Sequence, residues 1–324
     1  MEKGLVAMRI QLAHHTLKGS RPTNQDRVAY AERDGAILMV LADGLGGYDG
    51  GALAAETLTQ SIVRAFESVR QPVIDKPSAF LALAIMQAHK LIIKNGRASI
   101  PPISPRTTCV VCMVQRGYAY WAHVGDSRLY HFRGAKLLQR TLDHSTTEQM
   151  HLDGLLSEDE MRLHPEKGHL LKCVGGPQKP IISLGEETVL GQGDTLLLCS
   201  DGLWQAMNPA EIARFMGFRS LDEGVEEMLL VAERKMKKNC DNLSAMGLRW
   251  EDRPTAAPPL QPVRVAETSH EAMMTAVFRN RAGHRRRPEN TGPPTHSRVE
   301  TLDAAIKELE DFVSRFDPKR GKDR

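Results

Sequence analysis

Four aspartates in this chain stand where an apolar run ends or a tight turn begins. They are Asp43 in "LADGLGG", Asp126 in "HVGDSRLY", Asp201 in "CSDGLW" and Asp241 in "CDNLSAM". A fifth, Asp26, lies in the polar turn "RPTNQDRV". An aspartate that follows an apolar strand and precedes glycine carries its carboxylate at a sheet's edge. The glycine turns the chain sharply and leaves its carbonyl open to a ligand. Taken singly, each of these dipeptides reads equally well as turn chemistry. Taken together they pose an electrostatic problem. Carboxylates gathered at one place repel strongly in a low dielectric, so they persist only if some hold protons or a multivalent cation lies between them. Carboxylate and carbonyl oxygens suit hard ions such as Mg²⁺ and Mn²⁺.

Such a convergence needs strands to deliver the residues. The alternation of apolar runs and glycine-bearing turns predicts strands at 7–13, 36–42, 107–115, 118–124, 128–132, 194–199 and 243–249. Helical spacing predicts two long helices in succession, at 51–70 and 78–95, with Asp49 capping the first and Gly96 stopping the second. Shorter helices are predicted at 145–153, 157–163, 209–216 and 221–237, and Ser157 and Glu160 have capping-box spacing. The stretch "YAYWAHVGDSRLYHF" predicts a hairpin turning at Gly125-Asp126. Hairpin-like neighbours with helices grouped between them predict an α+β fold of antiparallel sheets flanked by helices, not a doubly wound parallel sheet.

The remaining chain narrows the classes. The formal charge of +3 over 324 residues is too small to argue for nucleic acid or an anionic membrane. No apolar run approaches a membrane span, and "MEKGLVAMRI" lacks the apolar stretch of a signal peptide. A cytoplasmic protein is expected. The five cysteines, Cys109, Cys112, Cys173, Cys199 and Cys240, are odd in number and lie in apolar surroundings, which predicts reduced, buried thiols. Cys109 and Cys112 form a C-x-x-C, but on a strand residues three apart point to opposite faces and cannot share an ion. After Trp250 the composition shifts. Residues 253–296 read as a proline- and arginine-rich linker with a short helix at 269–281. Over 297–317, Val299, Leu302, Ile306, Leu309, Val313 and Phe316 share one face of an amphipathic helix that Pro318 ends, leaving a disordered end at 318–324. Such a helix needs something to pack on: a protein partner, or the chain's own main domain.

In order along the chain, "RPTNQD", "ADGLGG", "RTTCVV", "HVGDSRLY", "LDHS" with "HPE" and "LLKCVGG", "SDGLW" and "DN" resemble the motif series of the PPM family, the metal-dependent serine/threonine protein phosphatases of type 2C. The resemblance spans residues 9–249. It implies a four-layer α-β-β-α sandwich over 1–252, with a flap-like segment at about 143–176 and metals in a cleft at one end. It also implies roles. Asp43 bridges two ions, Mn²⁺ or Mg²⁺; Asp201 and Asp241 hold the first. The Gly44 carbonyl binds the second, and Asp26 reaches it through water. Asp126 joins Asp201 at a weaker third site. Arg21, otherwise a solvated surface charge, grips the substrate phosphate with its planar fork. The implied reaction is hydrolysis of phosphoserine and phosphothreonine in proteins by a water bridging the two ions, without a phosphoenzyme. The implied partners are phosphorylated proteins, and a serine/threonine kinase or its substrates.

Five positions depart from the family pattern. Leu45 and Tyr48 stand where some members carry histidine, so no general acid is assigned. Gln25 replaces a glutamate of some members, and Gln205 an aspartate, which weakens the third metal site. Arg106 replaces the glycine common before the threonine pair and reads as a surface residue, with a phosphate-facing role as the alternative. These departures and the long tail carry the alternative reading, a pseudo-phosphatase acting as a regulatory scaffold. His144 and His164, in the flap-like segment, read as hydrogen-bonded structural histidines.

Overall fold

A computed structural model of the chain describes residues 8–252, apart from 34, 46–49 and 72. The expectations for Tyr48, Asp49, the linker 253–296, the helix at 269–281, the amphipathic segment 297–317 and the end 318–324 lie outside the described residues.

In chain order the strands are β1 (Ile10–Leu17), β2 (Arg27–Arg33), β3 (Ala36–Ala42), β4 (Gly44–Leu45), β5 (Arg106–Thr107), β6 (Cys109–Gln115), β7 (Tyr118–Val124), β8 (Arg128–Arg133), β9 (Lys136–Arg140), β10 (Val174–Gly175), β11 (Ser183–Leu184), β12 (Thr188–Val189), β13 (Asp194–Cys199) and β14 (Leu243–Trp250). The helices are α1 (Gly50–Ser68), α2 (Pro77–Ala98), α3 (Thr146–Leu152), α4 (Glu158–Leu163), α5 (Asp201–Ala206), α6 (Pro209–Met216) and α7 (Leu221–Met236). One antiparallel sheet runs β1-β14-β13-β8-β9. A second runs β11-β7-β6-β3-β2, with β12 also on β7. A small third sheet runs β10-β5-β4.

Three apolar clusters make the layers. Ile37, Met39 and Leu41 of β3 and Val110 and Val114 of β6 meet Leu196, Leu198, Met246 and Leu248 between the large sheets. Leu38 and Val40 face the other way, onto Ala54, Leu58 and Ile62 of α1 and Ile85 and Ile92 of α2. Leu197 and Ala245 turn from the first sheet onto Leu203 and Trp204 of α5 and Val225 and Leu229 of α7. The result is the four-layer α-β-β-α sandwich. Every residue of β3 is buried, so its period-two alternation fills two cores at once. A one-residue register slip would exchange the two sets, each buried Leu, Ile or Val being worth roughly 1.5–3 kcal/mol. Cys109 falls in the helix-side cluster and Cys112 in the inter-sheet cluster. All five cysteines are free. No helix among the described residues is long and apolar enough to cross a membrane.

The structure corrects several boundaries. Strand β1 lies three residues later than predicted at its start and four at its end. Strands β2, β4, β9, β10, β11 and β12 and helix α5 are additions to the predicted elements. The predicted hairpin at Gly125-Asp126 is instead a crossing between sheets, β7 pairing with β6 and β8 with β13 and β9. Gly96 does not stop α2, which continues to Ala98. It sits inside the helix because the chain returning to the sheet crosses it: a β-carbon there would collide with Pro105 and stand 2.6 Å from the Ile103 carbonyl. The capping box at Ser157 and Glu160 forms with both reciprocal bonds.

Candidate active site

Asp43 follows the last residue of β3, and its backbone is held from three directions. Its N–H donates to Thr108 Oγ1 (2.9 Å). Its carbonyl accepts from Thr107 Oγ1 (2.8 Å) and from the Thr108 N–H (2.8 Å). Thr108 Oγ1 also bonds Ser127 Oγ at 2.7 Å, which ties Asp43 to the β7–β8 turn where Asp126 sits. Gly125 opens that turn with φ +104°, a conformation L side chains avoid. Gly44 packs face to face with Gly51 at the start of α1, and a β-carbon on it would stand 2.9 Å from the Gln25 carbonyl. That approach brings the head of α1 against the strand end.

Asp26 is 3% exposed. Ser200 Oγ donates to its Oδ2 at 2.8 Å, and its Oδ1 is buried without a hydrogen-bond partner. Asp201 is the first residue of α5, and Gln205 Nε2 donates to its Oδ2 at 2.8 Å. Asp126 is 2% exposed, and its carbonyl accepts from Trp204 Nε1 at 2.8 Å. Trp204 in turn carries Arg128, whose guanidinium carbon lies 3.8 Å from the ring centroid while its Nε and Nη2 grip Asp143 at 2.8 and 2.7 Å. Asp241 is placed by Asn242, which follows it at the start of the turn into β14. The Asn242 side chain fastens the loop bearing Arg21, bonding the Gln25 N–H and the Lys18 and Thr23 carbonyls.

The carboxylates converge. Asp43 sits against both Asp26 and Asp201, and Asp126 and Asp241 act on it electrostatically. Burial pushes the Asp26 carboxyl up to about 6, Asp241 adding repulsion while Ser200 and Ser244 pull it back. Burial, then repulsion from Asp241 and Asp26, pushes Asp201 up to about 7. Asp43 is raised well above the carboxylate range by burial and then by Asp26 and Asp201, and Asp126 by burial and then by Asp201 and Asp143. Asp241 faces outward from this knot. Both its oxygens accept from Arg21, Oδ1 from Nε at 2.8 Å and Oδ2 from Nη2 at 2.6 Å.

Among the described residues no three His, Cys, Asp or Glu side chains form a ready-made cage for one ion, and the Asp241 oxygens engaged with Arg21 are part of that arrangement. The donor set nonetheless fits a hard divalent cation. It is all oxygen, its carboxyls are pushed toward the protonated form for want of positive charge, and Asp26 presents a buried oxygen without a donor. These groups open onto a cavity of about 570 Å³, lined by Arg21, Asp43, Gly44, Leu45, Asp201 and Asp241 among others.

Residues 14–238 match the family Protein phosphatase 2C. The chain belongs to the protein phosphatase 2C family. Protein phosphatase PhpP of Streptococcus pneumoniae serotype 2 is 32% identical over 194 residues, 59% of this chain and 78% of that one. A putative protein phosphatase 2C-type of Streptococcus pyogenes is 28% identical over 69% of this chain and 90% of its own length. The solved serine/threonine phosphatase of S. agalactiae superposes with a TM-score of 0.68 at 26% identity, covering 75% of this chain and all of that one. The catalytic domain of PstP in complex with two manganese ions shares the fold, with a TM-score of 0.62 at 23% identity, over 75% of this chain and 99% of its own.

Within this protein phosphatase, Leu45 forms part of the cavity wall, and Gln205 occupies one oxygen of Asp201. His144 accepts from the Gly125 N–H at Nδ1 and bonds Ser183 through Nε2. His164 Nδ1 accepts from the Glu166 N–H. Both are hydrogen-bonded within the protein. Sequence reasoning missed Lys167 and Gly168 of the flap-like segment, which line the phosphatase cavity. In "HPEKGH" they read as a polar turn, and only the returning chain brings them to the aspartates. The positioning work of Thr107 and Thr108 was also missed, although the threonine pair itself stood out.

Proposed function

We propose that this protein phosphatase 2C family member hydrolyses phosphoserine and phosphothreonine in proteins, by water activated between two divalent ions and without a phosphoenzyme. The observation that carries the reading is the gathering of Asp26, Asp43 and Asp201 into one buried knot whose charge this chain leaves uncompensated. Asp43, Asp201, Asp241 and the Gly44 carbonyl would hold the two ions, Mn²⁺ or Mg²⁺, with Asp26 behind them and Asp126 joining Asp201 at a weaker third position. When bound, the ions supply Lewis acidity, lowering the pKa of water and offsetting phosphoryl charge. The solved complex of one fold relative, the PstP catalytic domain, with two manganese ions supports this.

The chain's own groups supply orientation. Thr107 and Thr108 fix the Asp43 backbone, so its carboxylate enters the site in one direction. Asn242 holds the loop carrying Arg21 against Asp241. Arg21 is half exposed and paired only at the surface, where such a pair is worth little. It can therefore exchange Asp241 for a substrate phosphoryl group at small cost, donating two hydrogen bonds in either state. That exchange frees the Asp241 oxygens for an ion. The free thiols support a cytoplasmic setting. The segment 297–317 is proposed to dock a protein partner, a serine/threonine kinase or one of its substrates. Truncation after residue 252 that leaves binding to such a kinase unchanged would remove that proposal.

The test is turnover of a phosphothreonine peptide with Mn²⁺, with EDTA, and by Asp43→Asn, beside calorimetric titration with Mn²⁺. Expected are two bound ions, loss of turnover in EDTA, and a fall of at least about a hundredfold in Asp43→Asn. Turnover that ignores EDTA or the substitution defeats the reading.

A further inference from the structure

Two cations line the cavity from different parts of the chain, and a third stands one strand away from its wall. Arg21 is committed to Asp241. Lys167 lines the wall from the flap-like segment. The third, Arg106, stands where the family pattern has glycine. It is exposed, in the middle strand of the small sheet, directly opposite Leu45 of β4 on one side and Gly175 of β10 on the other. Residues opposite each other on antiparallel strands project to the same face, and Leu45 projects into the cavity wall. Arg106 therefore rises beside that wall, one strand farther out. Its stem crosses Gly176: a β-carbon there would stand 3.0 Å from Nε and 3.5 Å from Cδ. The glycine leaves room for the arginine side chain, which lies across the end of β10 beside the flap-like segment. Among the described residues neither Arg106 nor Lys167 has a carboxylate partner.

An arginine that only solvated the surface would need neither the gap at Gly176 nor a place in the strand flanking Gly44 and Leu45. An acidic cleft repels the anionic residues that surround many phosphorylation sites, and unpaired cations at its rim offset that repulsion. We propose that Arg106 recognises an anionic side chain flanking the phosphorylated residue of the substrate, a carboxylate or a second phosphate, with Lys167 as the nearer cation of the wall. The planar guanidinium suits both groups because each accepts two parallel hydrogen bonds. The proposal rests on the phosphatase reading and adds the class of substrate sequence to it.

The test uses the full chain with Mn²⁺ and three sets of fluorescein-labelled phosphothreonine peptides. The flanking positions are neutral in one set, carry aspartate in the second and phosphoserine in the third. Turnover and fluorescence anisotropy are measured for wild type, Arg106→Ala and Arg106→Lys at low and high salt. Wild type is expected to favour an anionic-flank set over the neutral set. In Arg106→Ala, kcat/KM and affinity on that set fall about two- to fivefold more than on neutral peptides or p-nitrophenyl phosphate, the scale of one exposed charge pair. Arg106→Lys recovers part of the difference, and high salt shrinks it. The better of the two anionic sets tells carboxylate from phosphate. Equal losses on all peptides, or no loss, overturn the proposal. A wild-type protein that turns over no peptide sinks the phosphatase reading instead, and the anisotropy measurements then decide the role of Arg106 by themselves.

Discussion

The Thr108 hydroxyl accepts from the Asp43 N–H and bonds Ser127, in a spot with no access to water. Replacing it by valine keeps the shape and removes both bonds. The buried N–H and hydroxyl left behind cost about 1–3 kcal/mol, and a shift of Asp43 by a fraction of an ångström costs turnover as well. Thr108→Val is expected to lower kcat on p-nitrophenyl phosphate about ten- to a hundredfold and to lower the urea midpoint, with Thr108→Ser restoring most of both. Full activity in Thr108→Val would show that the hydroxyl does not position Asp43. At this scale the acidic residues were legible, because an apolar run that stops at aspartate and glycine is an unusual local pattern. Their hydrogen-bond partners were not. Thr108 and Ser127 are 19 residues apart, and Lys167 is more than a hundred residues from Asp43; no local signal joins them.

Helix α2 illustrates how elements fit. Its apolar face, Leu81, Ala84, Ile85, Ala88 and Ile92, is readable from helical spacing. Its end is not. Local propensity favours alanine over glycine by about 1 kcal/mol inside a helix, so Gly96→Ala would stabilise an isolated α2. In the protein the added methyl meets Pro105 and the Ile103 carbonyl, and overpacking of that kind costs about 1–3 kcal/mol. Gly96→Ala is expected to lower the thermal midpoint; a rise would mean that the crossing chain can give way. The strands buried on both faces, β3, β6 and β13, were found closely from sequence. Of the missed strands, β2 and β9 are edge strands whose mixed exposure hides their alternation, and β4, β10, β11 and β12 have only two residues each, too few to show one. Helix α5 is six residues long, too short to show a period.

Across the whole molecule, buried ionisable groups make stability depend on pH in opposing ways. Burial, then repulsion from His123 and Lys172, pushes His144 down to about 4, against about 6.5 for an unfolded histidine. Between those values the unfolded chain binds the extra proton. The contribution is therefore whole above about pH 6.5 and is lost as pH falls toward 4, at no more than about 1.4 kcal/mol per pH unit. Asp26 and Asp201, raised to about 6 and about 7, have the reverse sign: without ions their folded forms lose stability as pH rises from about 4. The informative quantity is the difference between wild type and His144→Gln in urea midpoints at fixed EDTA. That difference is expected to shrink as pH falls from about 7 to about 4.5; a constant gap would mean that another group carries the slope. The small sheet β10-β5-β4 links these regions. Val174 and Gly175, at the trailing end of the flap-like segment, pair with Thr107 and Arg106, which pair in turn with Gly44 and Leu45. The segment is thus stitched into the same ribbon as the Gly44 peptide rather than hinged over it like a door. A surgical excision meant to probe specificity must stop short of Val174, because cutting the last stitch would loosen the very backbone whose chemistry it was designed to leave alone.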